Sequence, residues 1–347
     1  MKLASQNRIG LSSWWGFREF CRISVSPLAH ALEGRKGWLF LDNDTNNSVQ
    51  QFQGNLLLDF DHLAQWDHYL AEFDKIPQRT KVRQVEFLAT PSKEDVYPQF
   101  HPFPSAEVRP LLQLRSIGKK YQSYLDAYSF MKKSSERVFR KTDTHWNPTG
   151  ARLAALKIAH AFGIGQPHSF FDQDEYQENP EIGDLGVRSF PPRWAKEKRL
   201  KNFRYAEALL FDNQVENFGR ILITRWKKAF TDQSLLIFGG SSSYFLLDYL
   251  SRLFREVYLI HSAGNIDSAL LDLLAPDFLL AQTTGRFIFR VPSLDYCFGE
   301  VLRKKWQESF PSVKRVAEFH SLCLLPQGVD DTVVQKVVRY HGQWLGF

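Results

Sequence analysis

The chain has 347 residues, of which 44% are hydrophobic, so it can bury the core of one large domain or of one domain with a small addition. Its formal charge of +6 would attract acidic polysaccharide or anionic lipid headgroups, and no recognisable nucleic-acid-reading module accompanies that charge. Three widely spaced cysteines argue against a disulfide framework, and ten histidines without a metal-binding spacing argue against a zinc site.

The segment 1–30 is predicted to stand apart from the rest of the chain. Charged residues interrupt its apolar run, so neither a signal peptide nor a spanning helix is predicted there. Its aromatic residues could line one face of an amphipathic helix. That face would either dock on a membrane or partner, or pack on its own domain. The residues of this face are Trp14, Trp15, Phe17, Phe20 and Ile23.

Strands and helices are predicted to alternate after that segment. The predicted elements in chain order are a strand at 38–41, a helix at 63–73, a strand at 85–89, a largely helical stretch at 110–131, a helix from 148 to 162, a strand at 234–238, a helix at 244–254, and strands at 256–260 and 278–281. This alternation predicts an α/β fold, a three-layer αβα sandwich with a mostly parallel sheet. The main domain is predicted at 31–300 with an insertion around 165–232, followed by a C-terminal extension at 301–347.

A first candidate for chemistry is the stretch Thr142 to Pro148. Asp143 stands two residues before His145, where its carboxylate can accept the ring N–H and leave the other ring nitrogen free to take a proton. Asn147 and Pro148 are typical of a helix N-cap and first turn. The alternative is a surface aspartate beside a helix-flanking histidine.

A second candidate follows the apolar run 234–238. The sequence Gly239-Gly240-Ser241-Ser242-Ser243 leads into a helix. A strand, a glycine turn and a serine at a helix start are the arrangement by which α/β hydrolytic folds expose a nucleophile beside free backbone N–H groups. The alternative is a Gly/Ser loop that only caps the helix. Together, the two segments predict that Asp143, His145 and a serine act jointly.

The motifs also resemble a known family. Segments similar to its G-x-x-G-W-L-F, P-x-K-x-x-v-Y-P, D-x-H-W, G-D-L-G, G-D-S-x-S and P-D-x-x-x…R-F motifs occur in the family's order over roughly residues 30 to 295. They begin at Gly34, Pro91, Asp143, Gly183, Gly239 and Pro276. The chain thereby resembles the SGNH-hydrolase-like acyltransferases of the alginate O-acetylation machinery, which acetylate exopolysaccharides.

The resemblance implies roles for individual residues. Ser241 would be the nucleophile, His145 the base and Asp143 its orienting partner. Oxyanion or substrate-binding roles are predicted for Gly240, Ser242, Trp146, Lys93 and Arg286. Gly240 departs from the family, which has Asp or Thr there, so a turn-stabilising side chain is missing, and Gly285 stands where an acidic residue often precedes Arg-Phe.

The function implied is an O-acetyltransferase that moves an acetyl group onto a polysaccharide hydroxyl through a serine acyl-enzyme, without a cofactor or metal. Its expected partners are a polysaccharide acceptor and an acetyl donor or acetyl-delivering membrane protein, and no nucleic acid is expected. A carbohydrate esterase and a catalytically inactive glycan-binding or assembly subunit remain alternatives. The resemblance implies the periplasm or cell envelope, whereas the lack of a visible signal peptide leaves the cytoplasm open.

One further prediction concerns a basic stretch just before the D-x-H-W motif. It is either an ordinary solvated face or a surface for an anionic glycan or membrane near the site. Its members are Lys132, Lys133, Arg137, Arg140 and Lys141.

Overall fold

The computed structural model describes residues 30–42, 44–165, 167–309 and 332–345. The described part contains eleven strands: β1 (His30–Glu33), β2 (Leu39–Asp42), β3 (Gln84–Thr90), β4 (Tyr124–Leu125), β5 (Tyr176–Glu181), β6 (Ala195–Leu200), β7 (Leu209–Asp212), β8 (Ile221–Arg225), β9 (Thr231–Gly239), β10 (Phe254–His261) and β11 (Phe278–Thr284). Seven of them form one sheet in the order β4–β3–β11–β9–β10–β8–β7, and β1–β2 and β5–β6 are two separate hairpins.

Eleven helices accompany these strands in the described part: α1 (Ser48–Phe52), α2 (Phe60–Phe73), α3 (Ile76–Arg79), α4 (Lys93–Val96), α5 (Pro110–Gly118), α6 (Ala127–Lys132), α7 (Pro148–Ala161), α8 (Ser243–Leu253), α9 (Ser268–Leu274), α10 (Phe298–Ser309) and α11 (Thr332–Leu345). Short 3₁₀ turns lie at Arg35–Gly37, Pro98–Phe100, Pro167–Phe171, Gly186–Arg188, Tyr205–Ala208 and Gly285–Phe287. None of the helices in the described ranges is both long and apolar enough to cross a membrane.

The sheet is buried on both faces. Strand β9 shows why, because Leu235 and Ile237 pack into one hydrophobic core while Leu236 and Phe238 pack into the other. Side chains alternate across a strand, so an almost uninterrupted apolar run needs a helical layer on each side. Helices α7 and α8 cover the first face, and α2, α5, α9 and α11 cover the second. The predicted three-layer α/β sandwich is confirmed.

Five neighbouring strands pair in parallel, and the last two pairings of the sheet are antiparallel. The parallel block runs from β4 through β3, β11 and β9 to β10, and β8 and β7 add to it in antiparallel pairing. The carboxyl ends of the parallel strands therefore meet at one edge of the sheet, at Thr90, Thr284, Gly239 and His261. Sites in such sheets gather beyond this edge.

The stretch 110–131 is largely helical, as predicted, but in two pieces. Helix α5 ends at Gly118, whose added Cβ would lie 2.4 Å from the ring of Tyr124, and α6 begins at Ala127 after β4. The bounds of the predicted insertion at 165–232 stay a prediction. Its later part supplies β7 and β8 to the main sheet, and the earlier part forms the β5–β6 hairpin.

The ends of the chain are described only in part. The segment 1–29, with its predicted amphipathic face, lies outside the described residues. Within the predicted C-terminal extension, α11 packs Val334 and Val337 into the second core, and the hydroxyl of Tyr340 donates to Asp267 at 3.1 Å. The outer domain boundaries stay a prediction.

Candidate active site

The turn between β9 and α8 presents Ser241 at the sheet's carboxyl edge. It is tight because Ser243 N donates to Gly240 O at 3.0 Å and Tyr244 N donates to Ser241 O at 3.3 Å. Gly239 is required there, since an added Cβ would lie 2.1 Å from the hydroxyl of Ser243. The turn leaves Ser241 partly exposed while Ser242 and Ser243 are buried.

The loop that carries Asp143 and His145 is held from two sides. The backbone N–H groups of Leu185 and Gly186 donate to Thr142 O at 3.1 and 2.9 Å. In addition, the ammonium of Lys93, in α4, donates to Lys141 O at 3.0 Å and to Asp143 O at 2.8 Å. The loop is therefore fixed before α7 begins.

Helix α7 starts as the sequence predicts. The side chain of Asn147 accepts from Gly150 N at 3.0 Å, and Pro148 occupies the first turn. The cap satisfies one of the orphan N–H groups of the first turn. It also fixes the position of His145, two residues upstream of the cap.

The structure brings the three predicted catalytic residues into one hydrogen-bonded chain. Asp143 Oδ1 lies 2.7 Å from His145 Nδ1, and His145 Nε2 lies 2.9 Å from Ser241 Oγ. The Asp143 and His145 residues are 8% and 7% exposed. This is the geometry in which an imidazole can take a proton from a serine hydroxyl while a carboxylate holds its tautomer.

The electrostatics keep Asp143 ionised. Burial alone would raise the pKa of its carboxyl group, but the His145 ring, hydrogen bonds from that residue and the nearby Arg140 guanidinium together bring the pKa well below its usual value. An ionised carboxylate beside Nδ1 stabilises the imidazolium that forms when Nε2 accepts a proton.

Among the three serines, the geometry singles out Ser241. The hydroxyl of Ser243 donates to Gln282 Oε1 at 2.8 Å, and Ser243 and Gln282 are both fully buried. Only Ser241 among them has a hydrogen bond to His145 in the described part of the chain. The catalytic role of Ser241 stays a prediction, which this contact supports.

Gln282 is a site residue that the sequence analysis missed. Its Oε1 accepts from Gly240 N and from the hydroxyl of Ser243, both at 2.8 Å, and its Nε2 donates to Thr90 and to Thr283 O. The carboxamide thus reaches from β11 to the turn where Gly240 lacks a side chain. A polar residue directly after the apolar run 278–281, at the site's edge of the sheet, was the available signal.

Asp184 is a second missed residue, although its G-D-L-G segment was noted. Its carboxylate accepts from Thr144 N at 2.7 Å and from the Thr144 hydroxyl at 2.5 Å, and its N–H donates to Asp143 Oδ2 at 3.2 Å. Burial, and then repulsion by Asp143, raise the pKa of Asp184. This residue ties the turn after β5 to the catalytic loop.

The same residues are those that could hold a cation. Asp143, His145 and Asp184 offer ligand atoms within 4.8 Å of one another. The Nδ1 atom of His145 lies within hydrogen-bond distance of Asp143, and its Nε2 atom lies within that distance of Ser241. The hydroxyl of Thr144 donates to the carboxylate of Asp184. The hydrogen-bonded chain thus accounts for this cluster without a metal.

The predicted oxyanion donors are only partly suited to that role. The N–H of Gly240 already donates to Gln282, so we correct that assignment. Across residues 30–42, 44–165, 167–309 and 332–345, no hydrogen bond engages the N–H of Ser241 or of Ser242. Ser242 therefore stays a predicted oxyanion donor through its backbone, and Ser241 N joins it.

Two predicted substrate contacts are corrected because the residues are buried. Trp146 is fully buried, and its indole N–H donates to Ser242 O at 3.1 Å, so it joins the catalytic loop to the nucleophile turn. Lys93 is 2% exposed, and its ammonium faces backbone carbonyls and the rings of Trp38 and Phe40. Both residues therefore hold the catalytic loop in position through contacts inside the protein.

Arg286 is partly exposed and lies on a separate small cavity beside the site. The cavity is also lined by Glu94, Asp95 and Arg109, beyond the carboxyl ends of β3 and β11. Burial raises the pKa of Glu94 to about 7, an effect that repulsion from Asp95 increases and Arg286 opposes. Gly285, the second departure from the family, lines the same cavity.

Most side chains of the basic stretch contact other parts of the protein. Four of its five side chains make such contacts, and Lys133 is exposed. The contacts are Lys132 with Val96 O at 2.9 Å, Arg137 with Glu197 at 2.9 Å, Arg140 with Glu181 at 3.1 Å, and Lys141 with Lys36 O at 3.3 Å. Arg140 is only 7% exposed. Lys132 and Lys133 are exposed, so the solvated face and the polyanion surface both stay predictions for them, whereas the buried Arg140 belongs to neither.

Comparison with known proteins identifies the family of the chain. A family model described as "SGNH hydrolase-like domain, acetyltransferase AlgX" matches residues 31–208, just over half of the chain. The match includes the catalytic loop and ends before the nucleophile turn. A "Probable alginate O-acetylase AlgJ" of Pseudomonas fluorescens is 25% identical over 197 residues, 48% of this chain and 45% of that protein. The chain therefore matches less than half the length of this relative.

Two solved structures share the fold. Bacillus cereus PatB1 superposes with a TM-score of 0.53 at 15% identity, covering 76% of this chain and 99% of that one. A DHHW family protein from Eubacterium siraeum gives 0.52 at 14% identity, covering 75% and 95%. With the matched motifs, the fold and the triad geometry in place, the chain belongs to the SGNH hydrolase-like family of acetyltransferase AlgX.

Proposed function

We propose that this protein is a polysaccharide O-acetyltransferase that works through an acetylated Ser241. The observation that carries the proposal is the continuous hydrogen-bonded chain from Ser241 Oγ through His145 to Asp143. Membership of a family whose description names an acetyltransferase supports it, and so does the likeness to a probable alginate O-acetylase.

The first half of the reaction would form the acyl-enzyme. Ser241 Oγ attacks the acetyl carbonyl carbon of the donor, and its proton passes to His145 Nε2. The negative charge on the carbonyl oxygen is stabilised by the N–H groups of Ser241 and Ser242. The bond to the donor's leaving group then breaks, and His145 returns the proton to that group.

The second half would pass the acetyl group to a sugar. A sugar hydroxyl gives its proton to His145 and attacks the acetyl-serine carbonyl, and the ester bond to Ser241 breaks as the serine regains a proton. A polysaccharide acceptor and an acetyl donor or acetyl-delivering membrane protein are the partners of this scheme. Neither a cofactor nor nucleic acid takes part in it.

A carbohydrate esterase is the second candidate, because water could replace the sugar hydroxyl at the same acyl-enzyme. The alternative of an inactive subunit rested on the missing side chain at Gly240. It loses this support, because Gln282 Oε1 accepts hydrogen bonds from Gly240 N and from the Ser243 hydroxyl and so stabilises the nucleophile turn. Transfer and hydrolysis differ only in the group that attacks the acetyl-serine.

The test uses a chromogenic acetyl ester, with and without an oligosaccharide acceptor. We expect Ser241→Ala to lower turnover about a thousandfold or more, because it removes the nucleophile. Ser242→Ala is the matched control, since it keeps the backbone N–H and should retain most activity. Mass spectrometry should find an added acetyl group on Ser241. The proposal is wrong if Ser242→Ala abolishes turnover while Ser241→Ala retains it.

A further inference from the structure

A loop beside the active site exposes large apolar side chains. Val187, Phe190 and Trp194 are 50%, 100% and 63% exposed. Leaving such rings in water forgoes roughly 25 cal/mol for each Å² that could be buried. Exposed apolar groups clustered at one place commonly mark a binding surface.

The loop is anchored and closed at its base. Arg193 N donates to Gly186 O at 3.1 Å, which joins the two ends of the segment. Gly186 fits only without a side chain, because an added Cβ would lie 2.3 Å from Arg193 O. The ion pair between Arg193 and Glu33, at 3.2 Å, also ties the loop to β1. The aromatic rings are therefore presented by a defined backbone.

The base of this loop is part of the catalytic assembly. Gly186 N donates to Thr142 O at 2.9 Å, and two residues earlier Asp184 N donates to Asp143 Oδ2 at 3.2 Å. Phe190 and Trp194 thus extend from a loop whose base is hydrogen-bonded to the loop that carries Asp143 and His145.

The loop itself carries only positive charges. Between residues 186 and 196 the chain has Arg188, Arg193 and Lys196 and no acidic residue, and Arg193 pairs with Glu33 of β1. An aromatic face stacks on the apolar C–H face of a sugar ring, and neighbouring cations attract carboxylate groups on an acidic polymer.

We propose that this loop, residues 187–194, is the platform on which an acidic polysaccharide acceptor lies, with Phe190 and Trp194 stacking against its sugar rings. The proposal rests on the function proposed above and adds the residues that hold the acceptor. Acceptor binding and acyl-enzyme formation then depend on different residues, because neither ring takes part in the Asp143–His145–Ser241 chain.

The test compares the double substitution Phe190→Ala and Trp194→Ala with wild type in two assays. We expect the KM for an acidic oligosaccharide acceptor to rise about tenfold, equivalent to about 1.4 kcal/mol of binding free energy, since two aromatic contacts with the sugar rings are lost. Turnover of the small chromogenic acetyl ester should be unchanged. The matched control is Phe60→Ala, which removes a ring that is 82% exposed at the start of α2.

A binding assay separates this proposal from the catalytic one. Affinity electrophoresis in gels containing sodium alginate, run on the Ser241→Ala protein with and without the double substitution, requires no activity. Weaker retardation of the double variant, with unchanged mobility in neutral dextran gels, is expected. Equal retardation would overturn the proposal. A loss of ester hydrolysis in the double variant would also overturn it. If the double variant instead lost binding only to anionic lipid vesicles, the loop would be assigned to a membrane surface and the proposal would be wrong.

Discussion

At the scale of single residues, the nucleophile turn depends on one carboxamide. Gln282 is fully buried, and all of its four hydrogen bonds go to protein groups, two of them to the turn around Ser241. An unpaired buried donor costs about 1–3 kcal/mol. The turn therefore keeps its shape only while this acceptor is present.

We predict that Gln282→Leu lowers kcat for an acetyl ester about 10- to 100-fold with little change in KM, because the turn relaxes and Ser241 moves away from His145. Adding Gly240→Asp to this variant should restore part of kcat, since a carboxylate at 240 can accept hydrogen bonds within the turn. In wild type, Gly240→Asp should instead be harmful, because a Cβ 3.6 Å from Gln282 Oε1 would place a carboxylate beside that acceptor oxygen. A Gln282→Leu protein with lower thermal stability and unchanged kcat would limit Gln282 to a packing role.

The residue scale also shows what the sequence could predict. Asp143 and His145 are two positions apart, so their contact was readable from spacing, and the family motif supplied the register of Ser241. Gln282 and Asp184 contact the site across strands and loops distant in the chain. No local pattern encodes such contacts, and the buried positions of Trp146 and Lys93 likewise depend on packing.

At the scale of elements, the short helix α4 holds the catalytic loop through its first residue. Lys93 donates to two carbonyls of that loop, and burial lowers the pKa of its ammonium to about 8, despite the nearby Asp184 and Asp143. Hydrogen bonds from a charged donor are worth about 1.5–3 kcal/mol. The loop that carries His145 is thus fixed by a partner about fifty residues earlier in the chain.

We predict that Lys93→Met increases hydrogen exchange of the peptide 139–147 and lowers kcat at least about tenfold, because the loop loses both contacts. Lys132→Met is the matched control: its ammonium donates to Val96 O at 2.9 Å, away from the catalytic loop, and the residue is exposed. Exchange in the strands of the sheet should be unchanged in both variants. Unaltered exchange of the catalytic loop in Lys93→Met would show that other contacts suffice to hold it.

At the scale of the whole molecule, the periodicity of the sequence was enough to predict four central strands of the sheet and the helical layers around it. The apolar runs at 85–89, 234–238, 256–260 and 278–281 each lie inside an observed strand. The strands β7 and β8 were missed, because they lie within a polar, Pro- and Gly-containing stretch. They join the sheet only through pairing of β8 with β10 and of β7 with β8. Strand order depends on such long-range contacts, which composition does not report.

One buried acid makes the stability of the whole fold sensitive to pH. Glu86 on β3 is 3% exposed, its Oε1 accepts from Gln84, and its Oε2 has no hydrogen-bond partner. Burial raises the pKa of this carboxyl group to about 8, whereas its ordinary value is 4.5. Between these two values the folded state binds a proton that the unfolded state has released. The contribution of Glu86 to the free energy of unfolding therefore falls as pH rises through that window, by up to about 1.4 kcal/mol per pH unit.

We predict that Glu86→Gln, which keeps the shape and cannot ionise, raises the free energy of unfolding at pH 8.5 and has little effect at pH 4.5, where Glu86 is protonated in the folded state. Buried His101 and His261, whose pKa values burial lowers, shape the wild-type profile in the opposite direction at acid pH. The difference between variant and wild type cancels their contribution. The measurement is urea unfolding followed by tryptophan fluorescence at several pH values. A variant that is no more stable than wild type at pH 8.5, or equally stabilised at both pH values, would show that Glu86 is already ionised in the folded protein.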